Sequence, residues 1–291
     1  MMRMATPRLA FVVLTYNRSG ALLAVLKSLA SQCSAGDEVV IADDGSRSEH
    51  VQAVRDASIN WPCRAIHVWH PDTGFTAGSA RNLGASKTKA DYLVFMDGDC
   101  IPAPGFVTMH RALAKTGQFV NGSRTLLSER LSVEVQADRV DLVTSSLWRW
   151  LAWRAQGDVN KLAHFLRWPG MPGRIQPGFS WKGIRSCNFG VWRADFEAVN
   201  GFDETFNGWG HEDADLVLRL HHHGLVRCNG HWATEVFHLW HPENNRANEG
   251  ANRQRVLDRV GSTIVRSDRG LDLVDAREGV QTFLLHDVNQ V

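Results

Sequence analysis

The chain lacks the sequence features of several large protein classes. No apolar run approaches the ~20 residues that a membrane-spanning helix needs, and the longest runs, such as 9–14, have the length of a strand. The net charge is only +1 and no basic arm stands out, so no nucleic-acid partner is expected. The five cysteines are scattered without a Cys-x-x-Cys pair, which indicates neither a zinc knuckle nor a disulfide framework. Reduced thiols in the cytoplasm are the simplest interpretation.

Three common nucleotide-binding and hydrolase motifs are also missing. No G-x-G-x-x-G opens a helix, and there is neither a G-x-x-x-x-G-K-S/T loop nor a G-x-S-x-G elbow. A Rossmann dehydrogenase, a P-loop NTPase and a serine hydrolase are therefore disfavoured. The first residues are mildly basic and then apolar, but the apolar part is short and no small-residue cleavage site follows, so a first strand is predicted there.

The first 120 residues alternate between strand and helix patterns. Continuous apolar runs predict strands, and apolar residues at helical spacing predict the helices between them. The predicted strands are 9–14, 38–42, 65–69 and 92–96; the predicted helices cover 22–30, 48–57 and a segment around 80–85. This alternation predicts an α/β fold with a mainly parallel sheet and helices on both faces.

Polar loops follow three of these strands. They are Thr15–Arg18, Asp43–Ser46 and Asp97–Asp99. In open parallel sheets, ligands bind beyond the carboxyl ends of the strands. The sequence therefore predicts a binding site at this edge.

The segment 124–183 breaks the pattern and is predicted to be a helical insertion. It contains Trp148, Trp150, Trp153 and Trp168 among arginines, and then a loop rich in proline and glycine. Such a segment can pack on the main body, stack against sugar rings, or lie on a membrane surface. Regular elements return after 184: a strand, a short helix ending at Gly201, a longer helix from about 211, and strands at "LVRC" and "TEVFHLW". From 243 a polar loop and a weakly helical tail are expected.

The motif "DGD" at 97–99 follows the fourth strand directly. Asp-Gly is a common turn pair, so a strand that ends in a turn is the simplest interpretation. If the chain stays extended, however, Asp97 and Asp99 point to the same side. Two carboxylates directed at one point suit Mg²⁺ or Mn²⁺ bound to phosphate oxygens.

The motif "GWGHEDADLVLRL" at 208–220 places three acids at a helix start. The helix dipole favours acids in the first turn, which fits Glu212 and Asp215. Asp213 shares a helix face with Val217 and Leu220, where an acid is costly to bury without a partner or a function.

Two histidines stand at the end of the last predicted strand. His238 and His241 precede a polar loop, and imidazole ligands would favour Mn²⁺ over Mg²⁺. The run at 221–223 ends a helix before Gly224, where cationic residues are expected for capping, so no metal site is predicted there.

Taken together, "VVLTYNRSGALLAVLKSL", "VVIADDGS", "GFTAGSARNLGA", "YLVFMDGD" and "NGFDETFNGWGHEDADL" resemble glycosyltransferases of family 2 with the GT-A fold. The last motif is similar to the galactosyltransferase-type motif of β-1,4-galactosyltransferases and of bacterial chondroitin-polymerase-like enzymes. The resemblance covers about 1–120 and 184–242. It implies a nucleotide-sugar-binding half (1–123), the insertion (124–183), an acceptor-binding and catalytic half (184–242) and a tail (243–291).

The resemblance also implies residue roles. The nucleotide would contact Thr15, Tyr16, Asn17 and Arg18, largely through their backbone, and also Arg81 and Asn82, with its base recognised by Asp44 beside Asp43. Asp97 would lie near the ribose and the metal, Asp99 would bind the metal, and His238, or else His241, would be the third ligand. Asp213 would be the general base, Glu212 a catalytic or acceptor-contacting acid, and Trp209 with Gly210 part of the acceptor site.

The implied reaction transfers a sugar from a nucleoside diphosphate sugar, most simply a UDP-sugar, to a glycan or lipid-linked acceptor. A divalent metal would stabilise the leaving diphosphate, and one carboxylate would take the proton of the acceptor, which fits an inverting displacement. Two alternatives stay open: a retaining transferase, and a GT-A module that binds without chemistry. The tryptophan- and arginine-rich insertion adds peripheral contact with the inner face of the cell membrane as a further hypothesis.

Overall fold

A computed structural model describes residues 6–242 and 246–287. Its first part contains every strand and helix predicted before residue 100, with ends that differ by a few residues at most. In chain order these are β1 (Leu9–Thr15), α1 (Ser19–Ala30), β2 (Glu38–Asp43), α2 (Ser48–Arg55), β3 (Arg64–Trp69), α3 (Ala77–Ser86) and β4 (Tyr92–Asp97).

The main sheet of the described residues has nine strands. Besides β1 to β4 it contains β6 (Gln118–Asn121), β8 (Ile175–Gln176), β9 (Asn188–Trp192), β10 (Val226–Asn229) and β12 (Gln281–His286). The strand order is β12-β3-β2-β1-β4-β9-β6-β10-β8, and the strands β3, β2, β1 and β4 run parallel. Strands β1, β2 and β4 are almost wholly buried because helices cover both faces, as their continuous apolar runs predict.

A second, three-stranded sheet brings distant parts of the chain together. It contains β5 (Cys100–Pro102), β7 (Ser123–Leu126) and β11 (Glu235–His238), in the order β5-β11-β7. His238 pairs with Cys100 across β5 and β11. This register places the end of β11 beside Asp99.

The segment 124–183, predicted to be a helical insertion, contains strand residues as well as helices. Its first residues form β7 in the small sheet, followed by α5 (Glu129–Gln136), α6 (Leu147–Gln156) and a 3-10 turn at Ala163–Phe165. Trp150 and Trp153 are buried, and the Trp150 ring lies 4.8 Å from that of Phe237. Trp148 and Trp168 are exposed. Two of the four tryptophans therefore pack the segment on the body, and two do not.

Two helices after residue 184 agree with the sequence pattern: α7 (Arg193–Ala198) and α8 (Glu212–His222). A further helix, α4 (Phe106–Leu113), lies earlier in the chain. Asp215 differs from an exposed helix-start acid: it is fully buried, 2.8 Å from Arg219 and 2.5 Å from Arg259. Arg259 belongs to α9 (Glu249–Val260), so this ion pair joins α8 to α9.

The tail is only partly helical. After α9 come a 3-10 turn at Leu271–Ala276 and β12, which pairs antiparallel with β3. The helical prediction missed β12 because its residues alternate weakly and half of them are exposed. The predicted polar loop begins at 243–245, outside the described residues. In the two described ranges, no helix is both long and apolar enough to cross a bilayer.

Candidate active site

A cleft of about 720 Å³ opens at the carboxyl ends of the parallel strands. Residues from both halves of the chain line it. From the first half these include Thr15, Tyr16, Arg18, Asp44, Arg81, Asp97 and Asp99; from the second, Trp209, Gly210, Glu212, Asp213 and His241. The structure thus brings together most residues that the sequence singled out, although the outermost two, Thr15 and His241, are 226 positions apart.

The "DGD" motif turns sharply against β1. The backbone N–H of Gly98 donates to the carbonyl of Leu14 over 2.7 Å. A Cβ atom on Gly98 would lie 2.9 Å from that same oxygen, so glycine permits the close approach. Asp97 ends β4 and Asp99 precedes β5, which places both carboxylates at the cleft.

Arg81 connects the two acidic motifs. Its guanidinium lies 2.8 Å from Asp97 and 3.3 Å from Glu212, and it is almost fully buried. Its Nε is buried without a hydrogen-bond partner among the described residues. Helix α3 reaches this position because Gly84 lies directly on the sheet, where a Cβ atom would be 2.8 Å from Val12.

Asp99 lies next to three groups that can bind a metal. Its carboxylate is 3.8 Å from His238 and 3.5 Å from His241, and Asp99, Cys100 and His238 can direct ligand atoms at one point. Burial lowers the pKa of His238, which keeps its imidazole in the neutral form that binds metals. In this structure Asp99 also accepts a hydrogen bond of 2.6 Å from Arg18.

Cys100 was not among the predicted site residues, although it directly follows Asp99 in the sequence. Burial raises the pKa of the Cys100 thiol well above its usual value, and a hydrogen bond with Cys187 adds to this. The thiol is therefore protonated at neutral pH, and it is a poor ligand in that form.

Asp213 is the acid whose environment is most unusual. Burial, followed by the charge of Glu212, raises its pKa to about 7, while Arg81 and the backbone N–H groups of Ala214 and Ser186 oppose the rise. A carboxyl group that titrates near neutral pH can accept a proton during a reaction. Ser186, like the cleft residue Arg185, escaped sequence analysis because no motif marks the loop before β9.

Trp209 and Gly210 form a turn that borders the cleft. Gly210 has φ = 106°, which is open to glycine but strained for other residues. The guanidinium of Arg246 lies 4.7 Å from the centre of the Trp209 ring. This turn leads directly into α8 and therefore into Glu212 and Asp213.

Asp44 lies at the far end of the cleft in a network of hydrogen bonds. It accepts a bond of 2.9 Å from the Thr76 backbone and lies 3.2 Å from His70. Burial lowers the pKa of His70, but the hydrogen bond and charge of Asp44 outweigh it, so the pKa is raised. Tyr16, at the same end, donates to Asp72 over 2.9 Å.

Three predicted nucleotide-contact residues do not line the cleft, and neither does the predicted metal ligand His238. Asp43 is buried and bonds to His67 over 2.7 Å. Asn82 is buried on the opposite side of α3, where its amide donates to the Phe202 carbonyl and its oxygen accepts from the Phe202 N–H. Asn17 has φ = 51° and accepts from the Arg47 backbone. The side chains of all three thus bond within the protein, and the predicted nucleotide contacts, largely through the backbone at Asn17, stay predictions.

Comparison with known proteins places the chain in a family. Residues 10–167 match the family described as "Glycosyl transferase family 2", and residues 174–241 match "N-terminal domain of galactosyltransferase". A validoxylamine A glucosyltransferase from Streptomyces hygroscopicus subsp. limoneus is 32% identical over 75% of this chain and 49% of the relative. A chondroitin synthase from Escherichia coli is 26% identical over 74% of this chain and 32% of the relative. The chain thus spans about half the length, or less, of these relatives.

Solved structures show the same fold. S. aureus TarS 1-349 in complex with UDP-GlcNAc superposes with a TM-score of 0.60 at 13% identity, covering 92% of this chain and 69% of that one. GalNAc-T7 with UDP, GalNAc and Mn²⁺ gives a TM-score of 0.59 at 14% identity, covering 88% of this chain and 48% of the other. The chain has the GT-A fold and belongs to glycosyl transferase family 2.

Proposed function

We propose that the chain is the catalytic domain of a metal-dependent, inverting glycosyltransferase. It moves a sugar from a UDP-sugar to a hydroxyl group of a glycan or lipid-linked acceptor. One observation carries the proposal: a single cleft contains the Asp97/Asp99 pair and the Glu212/Asp213 pair, and Arg81 contacts both. A module that only binds has no need of a carboxyl group with a pKa of about 7 beside its donor site.

The donor side of the cleft suits a nucleoside diphosphate. Asp44 and Tyr16 stand at one end, where they are proposed to contact the base, and Arg18 and Arg81 are proposed to face the phosphates. Two structural neighbours with the same fold were solved with UDP or UDP-GlcNAc, which supports a UDP-sugar as donor. Arginine provides charge and paired donors for phosphate oxygens.

The residues around Asp99 fit a divalent metal. Carboxylate oxygen and neutral imidazole nitrogen are ligands that Mn²⁺ accepts readily, and Mg²⁺ prefers the oxygen alone. Asp99, with Asp97, His238 and His241, would hold the ion. When bound, it would act as a Lewis acid that stabilises the negative charge of the departing diphosphate.

Asp213 is proposed to act as the general base. The acceptor oxygen attacks the anomeric carbon, the bond from that carbon to the diphosphate oxygen breaks, and UDP departs with the bonding electrons. Asp213 takes the hydroxyl proton that the acceptor loses. Because the acceptor approaches from the side opposite the leaving group, this single displacement inverts the anomeric configuration.

The acceptor is proposed to bind against the turn before α8. Trp209 offers an aromatic face for a sugar ring, and Gly210 lets the backbone approach closely. Glu212, held by Arg81, can accept a hydrogen bond from an acceptor hydroxyl.

The test is sugar transfer by purified protein, screened over UDP-sugars with Mn²⁺ and measured as UDP release with glycan acceptors. Asp99→Ala should abolish the Mn²⁺-stimulated rate. Asp213→Asn should abolish turnover and keep donor binding, measured by thermal shift. Full activity in both variants would refute the proposal, and donor binding without UDP release from any acceptor would favour the binding module. The anomeric configuration of the product separates an inverting from a retaining enzyme.

A further inference from the structure

Helix α6 presents an apolar face to solvent. Leu147, Trp148 and Leu151 are exposed, and the Trp148 side chain retains 79% of its accessible surface. These positions, with Ala152 and Ala155, share one side of the helix. The opposite side carries the buried Trp150 and Trp153, so the helix is already anchored to the body, and its second apolar side is not needed for folding.

The turn that follows exposes further apolar side chains. Phe165, Leu166 and Trp168 are all exposed, and the Phe165 ring lies 6.2 Å from that of Trp150, on the buried side of α6. We call the exposed residues 147, 148, 151, 165, 166 and 168 the apolar patch. Apolar residues exposed as a group mark an interaction site more often than isolated exposed residues do.

Arginines border the apolar patch. Arg149 and Arg154 lie on either side of the exposed face of α6, and Arg167 lies within the turn. In the ranges 6–242 and 246–287, none of the three forms an ion pair. The nearby Lys161 and Asp158 are already paired, with Glu235 and Arg130 respectively. The three arginines therefore carry positive charge that no ion pair among the described residues neutralises, and the guanidinium of Arg149 lies 5.3 Å from the centre of the Trp153 ring.

We propose that the apolar patch docks on an anionic lipid bilayer. A helix that lies in the interface inserts aromatic and leucine side chains among the acyl chains and directs arginines to the headgroups. The patch has this arrangement, since its apolar residues project outward and the arginines border them. A second copy of the chain is a poorer match, because docking patch to patch would bring the same three arginines together. The inference is independent of the chemistry in the cleft.

Vesicle flotation of the whole chain tests the proposal. Vesicles of phosphatidylcholine are compared with vesicles in which a third of the lipid is phosphatidylglycerol. We expect binding to the anionic vesicles that weakens in high salt. Trp148→Ser with Leu151→Ser should reduce it by at least about tenfold, and each of Arg149→Gln and Arg154→Gln by roughly fivefold. All four side chains are exposed, so the fold should be retained, which circular dichroism verifies.

Leu284→Ser provides the matched control, because Leu284 is about as exposed as Leu147 but lies on β12. It should leave vesicle binding unchanged. Three results would overturn the proposal: no binding to anionic vesicles, equal binding to neutral ones, or binding that survives the Trp148→Ser/Leu151→Ser change. Self-association in solution that disappears in this double variant, without vesicle binding, would instead assign the patch to a second copy.

Discussion

The buried guanidinium of Arg81 lies 2.8 Å from the carboxylate of Asp97. Because its other terminal nitrogen lies 3.3 Å from Glu212, one side chain from α3 sets the distance between β4 and the start of α8. The relative position of the proposed donor and acceptor sites thus depends on a single arginine of α3.

Arg81→Lys is expected to lower kcat/KM for sugar transfer by at least about tenfold, because lysine keeps the charge but cannot contact both carboxylates in the same plane. UDP release measures the rate. Arg193→Lys is the matched control, since Arg193 forms a partly exposed pair with Glu197 on α7. Wild-type kinetics in Arg81→Lys would show that the bridge has no positioning role.

The rate of transfer should rise with pH through about 7, because the proposed base Asp213 must be deprotonated and its pKa is raised to that value. The charge of Glu212 contributes to this rise. Glu212→Gln should therefore lower the pKa of Asp213 and move the acid limb of the kcat/KM profile to lower pH, whatever its effect on the maximal rate. If the acid limb of the Glu212→Gln variant stays at the same pH, the charge of Glu212 does not raise the pKa of Asp213.

Mn²⁺ should raise the melting temperature by mass action, and His238→Ala should raise the Mn²⁺ concentration needed for half of that effect by at least about tenfold. His241→Ala tests the alternative ligand, since His241 is the histidine nearer to Asp99. His222→Ala serves as the control, because His222 bonds to the Ile264 carbonyl at the end of α8. If His238→Ala and His222→Ala titrate alike, His238 is not a ligand.

Asp215→Asn should destabilise the fold by about 3–5 kcal/mol, because it leaves the buried Arg219 without its counter-charge and leaves Arg259 with Asp203 alone. Urea unfolding measures the change. Asp138→Asn removes an exposed partner of Lys27 and should cost no more than about 1 kcal/mol. Equal costs for both would mean that the buried pair contributes no more than a surface one.

Stability should fall as pH drops from about 6.5 to about 4, in part because of His110. Burial lowers its pKa to about 4, so the unfolded chain binds a proton in this window that the folded chain does not. Over the window this amounts to roughly 3 kcal/mol. His110→Gln should flatten this part of the curve of unfolding free energy against pH. Thermal melts over pH 4–7 measure it, and an unchanged slope would contradict the assignment.

The sequence predicted the parallel strands well, since continuous apolar runs depend on local order. It failed where the direction of a side chain was decisive. Asn82 follows Arg81 directly, yet the helical turn directs Arg81 to the cleft and Asn82 to Phe202. Asp43 and Asp44 separate in the same way, because successive residues at a strand end face opposite sides.

Long-range pairing was the second source of error. No local pattern indicates that Asp215 meets Arg259, 44 residues away, or that 281–286 adds to β3. Both depend on how separate elements pack, and a short, half-exposed strand carries little apolar periodicity.

Strand β12 covers the edge of β3 that does not pair with β2, the parallel and buried neighbour on its other side. A shortened protein that ends before residue 281 would offer the unpaired N–H and C=O groups of an apolar strand to any other extended chain. Such a protein would first aggregate edge to edge, while its cleft is still intact. Strand β12 thus protects against aggregation at a distance from the proposed active site.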